Sequence, residues 1–284
     1  RRTESGASSG GMYSQRGGSG VPLTPDIDLN ACCARAYSHP AARYLLGDSL
    51  HPGGLALTEE VASDLNLTPG SRVLDVGCGP GATSLFLAKK YGATVTGVTL
   101  EEAGAAELES HARKQGLEAQ IDVITGDIAS VDLSPTMFDA AIAECVVSIF
   151  DDKPAVLRRI FDAVQPGGRL AISDVIVEGD LPSNLQSVFA VAGCVGGAWS
   201  LDEYVSLVEG AGFRVTRSER RKDVASSFVD GVRKKLMFAE IGVKLGKIPV
   251  ELELIQQAKT YVAEARRLID DGTIGYCVII AERP

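Results

Sequence analysis

Arg72-Val73-Leu74-Asp75-Val76-Gly77-Cys78-Gly79-Pro80-Gly81-Ala82 is a short apolar run that breaks into glycines and then opens a helical stretch. A run of that length, bounded by glycine and rich in β-branched residues, reads as a strand buried on both faces. The same type recurs at Thr94-Val95-Thr96-Gly97-Val98, Ile121-Asp122-Val123-Ile124, Phe138-Asp139-Ala140-Ala141-Ile142 and Arg169-Leu170-Ala171-Ile172-Ser173. Helical stretches lie between them. One opens at Asp152-Lys153-Pro154, where Pro154 suits the first turn, and presents Leu157, Ile160, Phe161 and Val164 on one face. Its expected stop is Pro166-Gly167-Gly168. Strands alternating with helices predict an α/β fold built on a doubly wound parallel sheet.

Towards the end the alternation changes. Phe213-Arg214-Val215-Thr216 reads as a strand, and Tyr276-Cys277-Val278-Ile279-Ile280-Ala281 as a final one. Between them lies a helical insertion over 222–272, in which Ile255, Ala258, Val262, Ala265 and Ile269 keep helical spacing and Gly272 is the stop. It is expected to cover the sheet. In the other direction, eleven of the first twenty residues are Gly or Ser, too polar to bury, so 1–24 is expected to be a disordered tail with Met12 a candidate native start. Residues 25–57 are read as an N-terminal cover, of which 31–54 would close as a lid. Residues 58–284 are read as one domain.

Bulk properties narrow the function. The chain has 284 residues and a net charge of −9, so nucleic acid and anionic membrane surfaces are not expected partners. No apolar stretch approaches the roughly 20 residues that span a bilayer, and the start lacks a signal-peptide core. Six cysteines are too few for a disulfide scaffold at this length, which fits a cytoplasmic protein.

The glycine loop bears on the ligand. Gly77, Gly79 and Ala82 match the dinucleotide spacing G-x-G-x-x-G/A. Asp75, however, stands where a pyrophosphate would meet negative charge, and Pro80 cannot donate an N–H to phosphate. A ligand bearing an ammonium group suits Asp75 better.

Taken with Thr125-Gly126-Asp127-Ile128, Phe138-Asp139 and Gln165-Pro166-Gly167-Gly168, the loop resembles the class I S-adenosylmethionine-dependent methyltransferases over about residues 58–220 and the last strand. The resemblance implies a Rossmann-like sheet of seven strands with the last antiparallel, and S-adenosylmethionine as cofactor. It places Asp75, Gly77, Gly79 and Gly81 near the methionine portion and Asp127 with Ile128 at the adenine. The ribose usually meets an acid at the end of the second strand. Here Thr99 holds that place, followed by Leu100, with Glu101 and Glu102 as substitutes. Glu144 is either a cofactor contact or a base.

The cysteines speak to the acceptor. Cys145 follows the fourth expected strand, on the carboxyl edge where α/β ligands sit, and Cys194 lies in the glycine-flanked Ala192-Gly193-Cys194-Val195-Gly196-Gly197. Cys32 and Cys33 precede the core; Cys78 and Cys277 read as packing residues. The segments Cys145–Lys153, Ser173-Asp174-Val175, Leu181-Pro182, Gly193–Ala198 and Asp28–Cys32 resemble the arsenite methyltransferase branch. That implies Cys145 and Cys194 as arsenic-binding thiols and Cys32 as a third or redox thiol, with a thiol reductant as co-partner. Two departures stand out: 44–52 lacks the cysteine that branch often carries before its glycine loop, and the C-terminal helices differ from its best-known members. Two further readings stay open, a methyltransferase for sulfide, small thiols or selenium nucleophiles, and a non-catalytic thiol-based metalloid binder. Zinc is disfavoured because no C-x-x-C or H-x-x-x-H spacing occurs. His111 reads as a surface residue, His39 and His51 as cover residues within reach of the site. Tyr37 and Tyr44 either wall a sulfonium or pack.

Overall fold

A computed structural model describes residues 50–133, 137–182 and 194–284. The expectations for 1–24, for most of the N-terminal cover, and for Cys32, Cys33, Tyr37, His39 and Tyr44 lie outside the described residues. In chain order the elements are α1 (Gly54–Ser63), β1 (Arg72–Val76), α2 (Ala82–Tyr91), β2 (Thr94–Thr99), α3 (Glu102–Gln115), β3 (Ile121–Thr125), β4 (Phe138–Glu144), α4 (Lys153–Ala163), β5 (Val164–Val177), α5 (Leu201–Gly210), β6 (Arg214–Arg220), α6 (Lys222–Lys244), α7 (Leu252–Asp270) and β7 (Ile274–Glu282). The seven strands form one sheet in the order β3-β2-β1-β4-β5-β7-β6. β1 to β5 are parallel, and β7 runs antiparallel to both β5 and β6. The chain order therefore reverses at β1, which pairs with β2 on one side and β4 on the other, so a crevice opens at their carboxyl ends.

Both faces of the sheet are covered, which is why its central strands read as continuous apolar runs. Leu74, Val76, Ala141, Leu170 and Ile172 pack on one face with α4 and α5; Val73, Val95, Ile142 and Val278 pack on the other with α1, α2 and the bases of α6 and α7. Each such Val, Leu or Ile side chain contributes roughly 1.5–3 kcal/mol. α4 starts as the sequence indicates, with Asp152 accepting from the Ala155 N–H at 2.9 Å and Pro154 in the first turn. It stops at Ala163, however, and Pro166-Gly167-Gly168 belongs to the opening of β5, where the pairing with β4 shifts register between Phe138 and Ala140. β5 is longer than its apolar run because β7 matches it over nine consecutive pairs, Arg169–Glu282 to Val177–Ile274. Phe213 lies outside β6; its ring packs edge-on against Phe161, 5.0 Å away.

The helical insertion also differs from a plain cover. Only its base, Val224 and Ala225 with Leu268 and Ile269, joins the core under the sheet. Farther out, Leu236, Ala239 and Ile255 form a separate cluster between α6 and α7. α1 is bolted to this base through Glu60 and Asp64, which pair with Arg217 and Arg221 at 2.7 Å. Among the described residues no helix is long and apolar enough to cross a membrane.

Candidate active site

A cleft of about 230 Å³ opens at the carboxyl edge between β1, β2 and β4. Its first wall is made by the glycine loop. Asp75 is 3% exposed at the end of β1, and its carboxylate accepts a 2.5 Å hydrogen bond from Ser84 Oγ on α2. Burial, reinforced by the charge of Glu144 and opposed by the Ser84 bond, pushes the Asp75 carboxyl up to about 7. The loop then turns away: the N–H groups of Gly77 and Cys78 both donate to Val98 O, at 2.9 and 3.0 Å. Gly77 has φ +73°, and a Cβ there would stand 2.5 Å from Val146 Cγ2, so this position is closed to other residues. Gly79 faces open space at φ +49°.

Gly81, grouped with these by sequence, does not line the cleft. It caps α2 in the left-handed conformation, where a Cβ would collide with Leu108. Its service is to let α3 close on the loop. Cys78 does line the cleft, but its sulfur packs over Gly97, where a Cβ would come within 2.6 Å of it. Cys277 is fully buried in β7.

The far end of the cleft is built from two strand ends. Thr99 ends β2 and Leu100 and Glu101 follow it, while Asp127 and Ile128 follow β3; all five line the cleft. Glu102 does not, whereas Glu107 one turn further along α3 does. Arg159 on α4 donates to the backbone carbonyls of Ile128, at 2.9 Å, and Val131, fixing that loop from below.

The second wall rises from β4. Glu144, its last residue, accepts from Thr83 Oγ1 at 2.6 Å and from Thr58 Oγ1 at 3.1 Å. His51 Nε2 stands 3.5 Å from the Glu144 carboxylate, and both side chains are 5% exposed. Cys145 follows with φ +55°, a conformation that costs an L-residue roughly 1–2 kcal/mol. Its N–H donates to Ser173 O at 2.7 Å, which holds the turn. The thiol lies 3.2 Å from Cys194 Sγ, well beyond the ~2.05 Å of a covalent disulfide. Cys194 is buried behind it, outside the cleft wall. The bond from Cys145 to Cys194 sulfur, burial, and the Asp174 and Glu144 carboxyl groups all raise the Cys145 thiol well above its ordinary pKa.

Two buried ionic groups brace these turns. Asp174 accepts from the N–H groups of Ser148 and Val175, at 3.0 and 2.7 Å. Lys153 Nζ donates to Phe150 O at 2.8 Å and sits 5.3 Å above the Trp199 ring, tying the segment after Cys145 to the one after Cys194. Sequence reading missed Thr58, Thr83, Ser84, Arg159 and Lys153. A hydroxyl partner leaves no spacing signal; only the proximity of Ser84 to the glycine loop pointed that way. The donor set fits a cationic ligand: two buried carboxyl groups face one apolar-walled cleft, and a positive charge between them would relieve both. Among the described residues no group of three or more His, Cys, Asp or Glu is arranged to hold a metal ion.

Comparisons with known proteins bear on the family and the fold. The profile of a methyltransferase domain family matches residues 67–212. Methyltransferase GfsG of Streptomyces halstedii is 32% identical over 168 residues, covering 58% of this chain and 60% of that protein. An arsenite methyltransferase of Aquipseudomonas alcaligenes is 33% identical over 204 residues, covering 66% of this chain and 57% of that one. The chain thus spans somewhat under two thirds of the length of these relatives. In fold it is similar to the phosphoethanolamine N-methyltransferase 2 of Haemonchus contortus solved with phosphomonomethylethanolamine and S-adenosylhomocysteine, with a TM-score of 0.77, 19% identity, and coverage of 93% of this chain and 62% of that one.

Proposed function

The chain belongs to the S-adenosylmethionine-dependent methyltransferase family, and from that premise we propose that it methylates a soft nucleophile, foremost a trivalent arsenical held by Cys145 and Cys194. The observation that carries this reading is the 3.2 Å between the Cys145 sulfur at the cleft wall and the Cys194 sulfur behind it. A centre bound to two sulfurs at about 2.3 Å, the zinc–thiolate length, and near a right angle sets them about 3.3 Å apart. Soft arsenic prefers thiolates, and a relative named for arsenite methylation supports the assignment.

S-adenosylmethionine supplies the methyl group. Asp75 and Glu144 balance the positive charge of that ligand, while Gly77 and Gly79 keep the backbone open to it. Thr99, Leu100 and Glu101 take the ribose end, and Asp127 with Ile128 takes the base. As each S–As bond forms, the thiol proton leaves with an arsenic-bound hydroxyl as water, and the two sulfur ligands leave the arsenic lone pair free to take the methyl group while S-adenosylhomocysteine departs. No general base is then required. Placing that lone pair is the catalytic work of the second wall. Methyl transfer takes arsenic from the trivalent to the pentavalent state; in this reading two protein thiols, with Cys32 as the third available, reduce it by closing a disulfide, and an external thiol reductant reopens that disulfide.

The test is single-turnover methylation of arsenite and methylarsenite by Cys145→Ser and Cys194→Ser at saturating cofactor. Each is expected to lose at least about 100-fold in rate with cofactor affinity unchanged. Full methylation by Cys194→Ser would overturn the two-thiolate site. One observation favours a second reading. His51 and Glu144 put two proton acceptors on the cleft wall, which sulfide or a small thiol acceptor needs and an arsenical does not. In that reading His51→Gln abolishes thiol methylation, and thiol methylation survives loss of Cys194.

A further inference from the structure

Eight of the ten large apolar side chains exposed among the described residues lie between 237 and 261, on the α6–α7 hairpin. Four of them belong to the outer half of α6 and its cap: Met237, Phe238, Ile241 and Leu245 are 52%, 69%, 54% and 64% exposed. The seam of α6 with α7 is made by other residues, Leu236 and Ala239 with Val232 and Val243. At about 100° per residue the exposed four centre opposite that seam, so their stripe faces away from α7. Lys234 falls in the same stripe one turn before Phe238, between Arg233 and Lys235. Over 231–247 the chain carries five basic residues and one acidic, in a protein whose net charge is −9. That one acid, Glu240, is paired with Lys244 and Lys259, both at 2.6 Å, and Asp230 before it is paired with Arg266 at 2.6 Å. Arg233, Lys234 and Lys247 have no ion-pair partner among the described residues. A helix with an exposed apolar stripe and cations along it, and no free acid, has the pattern of one that lies in a membrane interface.

We propose that the outward face of α6 is an interfacial anchor that rests on an anionic bilayer, with Met237, Phe238, Ile241 and Leu245 sunk among the first acyl carbons and Arg233, Lys234 and Lys247 at the lipid phosphates. Two features select a bilayer as the occupant. Lys234 stands inside the apolar stripe. The dry centre of a protein interface disfavours such a cation, whereas at a bilayer its stem lies with the apolar chains and its ammonium reaches the headgroups. The charges also exclude a second copy, because a two-fold pairing of this stripe sets only like charges against one another. The net charge of the chain, which by itself makes anionic membranes unexpected partners, does not oppose the contact. Glu251 and Glu253 belong to the start of α7, on the opposite side of α6. The diameter of a helix, roughly 10 Å, exceeds the Debye length of about 8 Å at physiological salt. α6 lies on the bilayer in this arrangement and does not cross it, in keeping with its mixed composition. Residues 231–247 line no part of the cleft, so the inference is independent of the acceptor.

Co-sedimentation of the full chain with phosphatidylcholine vesicles, made with and without phosphatidylglycerol, tests it, with circular dichroism melting and S-adenosylmethionine affinity as controls. The wild type is expected to bind the anionic vesicles at least about tenfold more tightly than the neutral ones, and to lose that preference as salt is raised. Arg233→Gln with Lys234→Gln should weaken binding to the anionic vesicles about tenfold. Lys89→Gln with Lys114→Gln, the same change of charge elsewhere on the surface, should leave it unchanged. Phe238→Ser with Ile241→Ser should also weaken it at least about tenfold, a loss that adsorption by charge alone does not give, with melting and cofactor affinity unchanged. A wild type that ignores anionic vesicles, vesicle binding that survives the double serine change, or a dimer in sedimentation velocity that this change dissolves would each overturn the proposal.

Discussion

The two walls of the cleft solve opposite problems with the backbone. On the glycine-loop side the chain turns sharply at Gly77, Gly79 and Gly81, all at positive φ, and none of these positions needs a side chain. On the β4 side the chain takes the same left-handed conformation at Cys145, where the side chain is the purpose. The first wall is shaped by what is missing and the second by a strained residue that neighbours hold in place. Strain kept at one residue marks a position where the fold gives up stability for a group placed at the cleft. The walls also touch, since the space a Cβ would need at Gly77 is filled by Val146, the residue after Cys145.

The largest expected effect isolates the first wall. Asp75→Asn should weaken S-adenosylmethionine binding by about 100-fold, roughly 2.7 kcal/mol, in calorimetry at mildly alkaline pH, with the acceptor thiols untouched. Unchanged affinity would mean the two walls do not divide the labour as described. Next, Gly77→Ala should cost about 2–3 kcal/mol in chemical denaturation, because positive φ and the Val146 contact act together. Gly79→Ala, with open space around it, should cost only about 1 kcal/mol in stability while narrowing the cleft. Equal costs would remove the coupling between the walls.

A third expectation concerns pH. Burial raises the Asp75 carboxyl to about 7, with Glu144 adding to the effect and Ser84 opposing it. Protonated Asp75 therefore favours the folded, ligand-free chain at low pH, and that contribution is lost as pH rises through about 7. A cationic ligand favours the ionised form instead. Affinity for S-adenosylmethionine should rise about tenfold between about pH 6 and pH 8, and Asp75→Asn should flatten the profile. Smallest is the relief of strain on the second wall. Cys145→Gly should be more stable than Cys145→Ala by about 1 kcal/mol, since only glycine accepts φ +55° freely. If the two variants melt alike, the conformation is unstrained and the contrast between the walls fails.

How much of this was visible in the sequence follows the same division. The sheet was legible because its strands are buried on both faces and write themselves as apolar runs between glycines, as at Val73–Val76. Their ends were less so: Pro166-Gly167-Gly168 reads as a helix stop, yet pairing with β4 and β7 overrides that local signal. Asp75 could be placed from its position before the glycine loop and Glu144 from its position beside Cys145, whereas Asp127 was placed by the family resemblance. The closeness of Cys145 and Cys194 was expected from the resemblance and from their places after strands at one sheet edge, while the 48 residues between them carry no record of the 3.2 Å itself. Arg159 and Lys153 were invisible for a related reason. Both act on backbone carbonyls, and a carbonyl has the same identity at every position.

The position of β7 bears on how the chain is made. It is the last strand in sequence, yet it lies between β5 and β6 and supplies all the sheet pairing of β6. During vectorial synthesis β1 to β5 can assemble as soon as they emerge, but β6 has no edge to join until residues 274–282 have left the ribosome. Over that interval β5 offers an open edge nine residues long. The α6–α7 hairpin, made of local contacts, can form while the nascent chain waits. Any pause in translation before Ile274 therefore holds the protein in its most aggregation-exposed form, and faster delivery of the final strand shortens that exposure.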